Sequence, residues 1–331
     1  MLHTIGITFP PNSQWYQSVQ NVIKSLQRQI SNKFPNDKNL LVTMTWFGPQ
    51  FDNNEYNKFI DYVDNNTVDN IFLLATEDPC FLNKDETRDL ILKSKAKNSF
   101  LIGNFDTKYN FNFISTMAKQ FFPTYKETNI LMKTPKFLFL NYNRKPREHR
   151  CKFIKQLDNK KLTQYGLVTL GNDRNLCETI EDIGKDNQWW PDDYGIPHDI
   201  HSLGRLDIWQ HHFLNIVSET DFEDFLWTFI TEKTWKPIIG LRPFVLNGQQ
   251  IIYKYLRKNG FKTFNHYWNH IDLEECGIDD IHHNICKVVK FLLTQDVKEM
   301  YVDMLSDLRY NRDRFYEFAD EQKLKMETLF V

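Results

Sequence analysis

A run of basic side chains stands where a predicted strand gives way to a predicted helix. The strand covers Phe137–Leu140, and the turn after it carries Arg144, Lys145, Arg147 and Arg150. Ligands of α/β sheets bind at the carboxyl ends of strands, and guanidinium groups suit diphosphate oxygens. The turn therefore predicts an anion site. The alternative is a solvated helix start, which the helix dipole disfavours because it is positive at that end.

A second group of polar residues follows the end of another apolar strand. Ser218 and Glu219 come at the strand end, and Thr231, Glu232 and Lys233 come twelve or more residues later. A threonine at this place is a natural N-cap, which puts the next two residues in the first helical turn, at the same sheet edge. The carboxylate would bind a ribose diol and the ammonium a phosphate. The alternative is an N-cap followed by an ordinary exposed Glu-Lys pair.

Three carboxylates in the first third of the chain are candidates for a general base. Glu77 and Asp78 follow the third predicted strand, and Asp106 follows the fourth. A carboxylate at a strand end can take a proton from a hydroxyl group that attacks another molecule. Asp78 and Glu77 rank first because the third strand should be central. Each acid has an alternative role as a turn or helix-cap residue.

Two short motifs resemble a known family. The sequence Thr-Glu-Lys at 231–233, then a short helix, Gly240 and Pro243–Gly248, resembles a signature of the α-1,3-fucosyltransferases and related GT-B glycosyltransferases. The segment Arg150–Leu157 resembles the arginine-containing helix that precedes the signature in that family. The resemblance extends from Phe137 to Gly248.

The resemblance implies roles for particular residues. Arg150 and Lys233 would contact the diphosphate of a nucleotide-sugar donor, and Glu232 would contact its ribose. Ser218 and Glu219 occupy the place of the polar segment that ends the preceding strand. The family's Phe-x-Phe-Glu-Asn-Ser pattern is absent there, so recognition of GDP-fucose is not implied.

Predicted strands and helices alternate along the chain, which is typical of parallel sheets covered by helices. These strands and helices position the candidate residues. Apolar, β-rich runs predict strands at 5–9, 40–47, 70–76, 99–103, 137–140, 167–170, 213–217, 243–246 and 261–264. Helical spacing predicts helices at 15–30, 56–63, 84–96, 146–157, 231–239, 249–258 and a charged helical tail at 297–330. The segment 186–205, rich in Trp and Pro, reads as a long ordered loop.

These elements predict an α/β protein with two Rossmann-like domains facing a cleft, of the GT-B type, followed by C-terminal helices. We place an N-terminal acceptor-side domain at 1–135 and a nucleotide-sugar-binding domain at 136–295. Residues 296–331 form the helical tail. The 331 residues, 41% hydrophobic and 15% aromatic, suffice for two cores and exclude a disordered chain.

The net charge and the spacing of Cys and His residues argue against several kinds of binding. The net charge of -2 gives no overall attraction to nucleic acid or anionic lipid. The five cysteines form no C-x-x-C pair, and the His pairs 211–212 and 282–283 have no carboxylate at a metal-ligand spacing, so no metal site is expected. No run is long enough for a membrane span, and we expect a cytoplasmic protein.

The residues and the resemblance together predict a glycosyltransferase that moves a sugar from a nucleotide-diphosphate sugar to an acceptor hydroxyl. We expect inversion at the anomeric carbon, with neither a metal nor a separate cofactor. The acceptor is a glycan or a modified DNA base. For DNA, the lysines and arginine at 84, 88, 93, 95 and 97 would supply a basic face. The alternative for these residues is an ordinary solvated helix. The alternative is a non-catalytic nucleotide- or sugar-binding protein with the same fold.

Overall fold

The structure is a computed structural model that describes residues 1–7, 14–44, 53–75, 92–103, 111–112, 115–116, 119, 130–143, 146–170, 203, 206–222 and 228–330. The chain forms two compact units. Unit 1 comprises Met1–Met117 and Ala319–Val331, and unit 2 comprises Ala118–Phe318. The domain boundaries at 135 and 295 stay a prediction from the sequence.

Unit 1 contains a parallel sheet of four strands. Its elements are β1 (Leu2–Ile7), α1 (Gln14–Lys33), β2 (Asn39–Met44), α2 (Asn53–Asn65), β3 (Asn70–Ala75) and β4 (Asn98–Gly103). The strands lie side by side in chain order, so the described sheet has no reversal of strand order. Its apolar side chains are buried along β2 and β3, and Phe72 stacks on Phe100 with ring centroids 4.6 Å apart.

Asparagines begin three neighbouring strands of unit 1 in register. Asn39 pairs with Asn70, and Asn70 pairs with Asn98. Asn70 Nδ2 donates to Asn39 Oδ1 and to Asp37 Oδ2, each at 2.8 Å, and Asn98 Nδ2 donates to Asn70 Oδ1 at 2.8 Å. We call Asn39, Asn70 and Asn98 the asparagine ladder. It closes the amino edge of the sheet with hydrogen bonds between side chains.

Unit 2 contains a second parallel sheet of four strands. Its strands are β5 (Phe137–Asn141), β6 (Gly166–Val168), β7 (His212–Ser218) and β8 (Phe244–Asn247). Its helices are α3 (Glu148–Asn159), α4 (Leu206–Gln210), α5 (Glu232–Ile239), α6 (Ile251–Lys258), α7 (Ile281–Leu292) and most of α8 (Val297–Glu327). Short 3-10 turns lie at Thr163–Tyr165 and Asn265–Tyr267.

The strand order in unit 2 is β6-β5-β7-β8, and every strand is parallel to its neighbours. The chain therefore places β6 on one side of β5 and β7 on the other. Strand order reverses at this point, which is where open α/β sheets bind ligands beyond the carboxyl ends of the strands. All residues of β7 are buried, as expected for a strand covered on both faces.

Buried aromatic rings hold α5 against the rest of unit 2. The Trp235 ring lies 5.5 Å from those of Phe261 and Phe315 and 5.6 Å from that of Phe318. The strand predicted at 261–264 is wrong: this segment is irregular, and Phe261 and Phe264 are buried by ring contacts. A short apolar run has the same pattern in a buried strand and in a buried loop.

A buried arginine closes the amino end of β8. Arg242 has no exposed surface, and its guanidinium donates to the carbonyl oxygens of Gly240, Leu241, Ile130 and Trp209. It also donates to the Tyr301 hydroxyl at 3.1 Å. Burial lowers the pKa of Arg242 to about 10, so the group stays charged at neutral pH.

The α/β class, the two parallel sheets and the helical C terminus are confirmed. Helix α7 was not predicted from the sequence. The helix predicted at 84–96 lies mostly outside the described residues, and so does the loop predicted at 186–205. Among the described helices, none is both long enough and apolar enough to cross a membrane.

Candidate functional site

Polar residues occupy the carboxyl ends of β5, β7 and β8, where the strand order of unit 2 reverses. We call this region the switch-point edge. Asn141 ends β5, Ser218 ends β7 and Asn247 ends β8. Asn141 Nδ2 and Asn247 Nδ2 donate to Ser218 Oγ at 3.0 and 3.1 Å. Side chains from all three strands are therefore hydrogen-bonded across the edge.

Glu219 follows β7 and is fully buried. Its carboxylate accepts hydrogen bonds from the Thr231 hydroxyl at 2.5 Å and from the Thr234 hydroxyl at 2.6 Å. The backbone N–H groups of Thr220 and Thr231 also donate to it, each at 3.2 Å. Both carboxylate oxygens are thus bound by the protein. Glu219 fixes the start of α5 relative to the end of β7.

Helix α5 begins as its sequence predicts. Thr231 has extended backbone dihedral angles, and its hydroxyl accepts a hydrogen bond from the Lys233 N–H at 3.3 Å, so the predicted N-cap is confirmed. Lys233 Nζ lies 3.1 Å from Glu232 Oε1 and donates to Thr220 Oγ1 and Thr231 Oγ1. The side chain of Lys233 is 22% exposed. This ammonium is therefore held at the helix start with access to solvent.

Helix α3 reaches the same segment from the other side. Arg150 Nη2 donates to the Glu219 carbonyl oxygen at 2.8 Å, and Arg147 Nη1 donates to the Thr220 carbonyl oxygen at 2.8 Å. Arg150 is buried, whereas the side chain of Arg147 is 40% exposed and lies 3.8 Å from Asp221. The basic turn at the start of α3 is thus packed on the end of β7.

The starts of α3 and α5 therefore meet at the segment Glu219–Thr220. Each helix start has a partial positive charge from its free N–H groups, and Arg147, Arg150 and Lys233 add cationic side chains. Such an arrangement favours an anionic ligand, and a phosphate group fits the chemistry of both the helix ends and the cations.

A neutral histidine borders this segment. His149 Nε2 donates to the Glu219 carbonyl oxygen at 3.1 Å, and its ring stacks on Phe222 with centroids 5.1 Å apart. Burial and the nearby charge of Arg150 lower the pKa of His149 to about 3. The uncharged ring contributes hydrogen bonding and apolar surface. Sequence reasoning missed His149.

A second histidine extends the hydrogen bonds of the switch-point edge. His282 Nε2 donates to Asn247 Oδ1 at 2.9 Å, and the His282 ring lies 5.0 Å from that of Phe222. Burial lowers the pKa of His282 to about 4. The sequence reading weighed His282 only as a metal ligand. The only signal in the sequence was its position in an apolar helix.

Close packing leaves no room for a side chain at either glycine of the sequence signature, Gly240 or Gly248. A Cβ atom at Gly248 would lie 2.8 Å from the Glu219 Cβ, and one at Gly240 would lie 2.4 Å from the Trp209 ring. Gly248 therefore lets β8 approach the buried glutamate. Gly240 lets the end of α5 pack on α4.

The structure brings together all the donor-binding residues predicted from the sequence, namely Arg147, Arg150, Ser218, Glu219, Thr231, Glu232 and Lys233. Their roles toward a ligand stay predictions. The candidate bases Glu77, Asp78 and Asp106 lie outside the described residues, as do Arg144 and Lys145. Within the described part of the chain, no group of three or more His, Cys, Asp or Glu residues could hold a metal ion.

No protein-family model and no curated protein matches this sequence. Two solved structures are similar in fold. One, of an α1,3-fucosyltransferase, has 12% identity and a TM-score of 0.39, and the match covers 89% of this chain and 92% of that chain. The other, of an α1,3-fucosyltransferase with GDP, has 13% identity and a TM-score of 0.35, covering 99% of this chain and 91% of that chain.

Proposed function

We propose that this protein is a glycosyltransferase that binds a nucleotide-diphosphate sugar at the switch-point edge of unit 2 and transfers the sugar to an acceptor hydroxyl. The observation that carries the proposal is the meeting of two helix starts and three cationic side chains at Glu219–Thr220. The resemblance of the 231–248 segment to the fucosyltransferase signature supports the same donor class.

In this proposal the donor diphosphate replaces protein acceptors around the cations. Lys233, which has solvent access, and Arg147 contact phosphate oxygens directly. Arg150 adds charge and holds the segment in place through the Glu219 carbonyl oxygen. Glu232, on the first turn of α5, accepts hydrogen bonds from the ribose hydroxyls. Glu219 is a positioning residue, because its carboxylate is bound by Thr231 and Thr234.

The transfer step needs one further group. The acceptor oxygen forms a bond to the anomeric carbon as the bond to the diphosphate oxygen breaks, with inversion. The acceptor proton passes to a carboxylate, and the cations stabilise the departing nucleoside diphosphate. We propose that Asp78, Glu77 or Asp106 takes the proton, in that order of preference. The acceptor is a glycan hydroxyl or the hydroxyl of a modified DNA base.

The first experiment tests donor binding and turnover together. The melting temperature is measured with UDP-, GDP-, CMP- and dTDP-sugars, and release of the nucleotide is assayed for each sugar that raises it. Stabilisation with turnover supports the transferase. Stabilisation without turnover, in the presence of glycan and hydroxymethylated DNA acceptors, favours the non-catalytic binding protein. The absence of stabilisation by every sugar contradicts both.

The second experiment tests the base. We expect Asp78→Asn to lower turnover by about 10²- to 10⁴-fold, the usual contribution of general base catalysis, with little change in donor affinity. Glu77→Gln and Asp106→Asn are the matched controls and decide among the three acids. Near-normal turnover in all three variants would show that none of them is the base.

A further inference from the structure

Asn143, two residues beyond the end of β5, has a side-chain oxygen that accepts no hydrogen bond within the described part of the chain. The residue is fully buried, and no described residue donates a hydrogen bond to Asn143 Oδ1. Its backbone N–H donates to Thr169 Oγ1 at 3.0 Å, which fixes the backbone next to β6. A buried acceptor without a donor costs free energy, so its retention in an ordered polar network needs a reason.

The hydrogen bonds decide which end of the Asn143 amide is left over. The Ile216 carbonyl oxygen can only accept, so the Asn141 group 2.7 Å from it must be the NH2. Asn141 Oδ1 then faces Asn143, and the Asn143 group 2.7 Å from it must also be the NH2. The remaining atom of Asn143 is therefore the oxygen. The network thus holds a hydrogen-bond acceptor at the switch-point edge.

We propose that Asn143, whose side chain is buried in this structure, is a specificity-determining residue that accepts a hydrogen bond from an N–H or O–H group of the nucleotide-sugar once ligand binding displaces the side chains that cover it. This inference rests on the proposed function of the same edge. Asn143 is joined through Asn141 to Ser218, the residue before Glu219, next to the proposed diphosphate site.

The chemistry of the ligand limits which group Asn143 contacts. Diphosphate oxygens carry no proton to donate at neutral pH, so Asn143 does not bind the phosphates. The ribose hydroxyls are assigned to Glu232 in the proposed function. The remaining donors are an N–H group of the base, in the ring or in the 2-amino group of guanine, and a hydroxyl of the transferred sugar, and the experiment separates the base from the sugar.

The test uses pairs of ligands that differ by one hydrogen-bond donor. GDP is compared with N1-methyl-GDP and with inosine diphosphate, which lacks the 2-amino group. UDP is compared with N3-methyl-UDP, and UDP-glucose with its 2-, 3- and 4-deoxy sugar analogues. Calorimetry measures the Kd values for the wild-type protein and for Asn143→Leu. Asn70→Leu is the matched control, since it removes a buried asparagine from unit 1. Asn143→Ala replaces Asn143→Leu if the latter does not fold.

For one of these pairs, we expect the wild-type protein to bind the analogue that lacks the donor about five- to a hundredfold more weakly than it binds the parent ligand. In Asn143→Leu that ratio falls to about one, because the parent ligand loses affinity and the analogue does not. Asn70→Leu keeps the wild-type ratio. If the difference in affinity disappears in Asn143→Leu for a pair with a modified base, Asn143 contacts the base. If it disappears for a deoxy sugar, Asn143 contacts the sugar.

Two other results are informative. If the wild-type protein binds the parent ligands and Asn143→Leu keeps every ratio, the inference is wrong and the proposed function stands. If the wild-type protein binds no parent ligand, the proposed function fails and the inference falls with it.

Discussion

Hydrogen-bonded asparagines lie at opposite edges of the two sheets. In unit 1 the asparagine ladder lies at the amino edge, and the amide of Asn70 donates to Asp37 and Asn39 and accepts from Asn98. In unit 2 the corresponding network lies at the carboxyl edge, and it ends at Asn143 Oδ1, to which no described residue donates. Both ends of the Asn70 amide thus have partners in the protein, whereas the buried Asn143 oxygen has no donor among the described residues.

The difference follows from the order of the strands. The described strands of unit 1 lie in chain order, so no reversal opens a crevice between them. In unit 2 the reversal at β5 and β7 brings the starts of α3 and α5 to one segment. A satisfied network at an amino edge contributes stability, whereas the polar groups at the reversed carboxyl edge are those that we propose bind a ligand.

The largest loss of stability is expected for a substitution at the amino edge of the sheet in unit 2. Arg242→Met should lower the free energy of unfolding by about 3–5 kcal/mol, because it leaves buried carbonyl oxygens and the Tyr301 hydroxyl without their donor. Urea unfolding measures this change. Nucleotide affinity of the folded variant should equal that of the wild type, and a large loss of affinity would contradict the division of roles between the two edges.

The next largest loss of stability is expected for a substitution in the asparagine ladder. Asn70→Leu should lower the free energy of unfolding by about 2–4 kcal/mol, since three hydrogen bonds at a buried site are lost. Urea unfolding at pH 7 tests this, and calorimetry should find unchanged nucleotide affinity. An undiminished stability would show that the ladder does not hold the edge together.

The cationic side chain at the carboxyl edge should affect binding more than stability. Lys233→Met is expected to weaken nucleoside diphosphate binding by about 1.5–3 kcal/mol, the cost of one charge-assisted hydrogen bond. The melting temperature without ligand should change little. Lys236→Met, one turn later on α5, is the control and should bind normally. Equal affinities in both variants would remove Lys233 from the site. Arg150→Ala is less suitable, because this buried side chain also holds Glu219.

The smallest effect concerns pH, because the network of unit 2 includes a titratable group. The pKa of His282 is about 4 in the folded protein, below the ordinary 6.5, so the unfolded chain binds the proton first. Its contribution to stability is complete above about pH 6.5 and is lost as the pH falls toward 4. Between pH 7 and 5 the wild type should lose about 1–2 kcal/mol more stability than His282→Gln. Parallel urea-unfolding curves against pH would contradict this assignment.

The sequence predicted the elements better than their contacts. The strands from β1 to β8 and the N-cap at Thr231 follow from apolar runs and capping chemistry, and the structure confirms them. The strand at 261–264 failed because burial by aromatic rings, not strand pairing, explains that apolar run. Pattern alone does not tell which partner buries a side chain.

The candidate site was predicted in part. The charged residues Arg150, Glu232 and Lys233 stood out by type and by the resemblance. The role of Glu219 was not predictable, because its partners Thr231 and Thr234 come from a helix that folds back onto β7. Asn143 was not predicted either. An unpaired amide oxygen exists only once the orientation of Asn141 is known, and that orientation depends on the pairing of β5 with β7.

Hydrogen exchange of the wild-type protein with and without GDP or UDP tests the central claim most directly. We expect either GDP or UDP to slow hydrogen exchange of the backbone amides at 147–151 and 228–236, where the starts of α3 and α5 meet, relative to the protein without nucleotide. Exchange at the asparagine ladder, in the strands that start at Asn39, Asn70 and Asn98, should stay the same. Unchanged exchange at 228–236 with both nucleotides would contradict the account, as would slower exchange confined to the strands of unit 1.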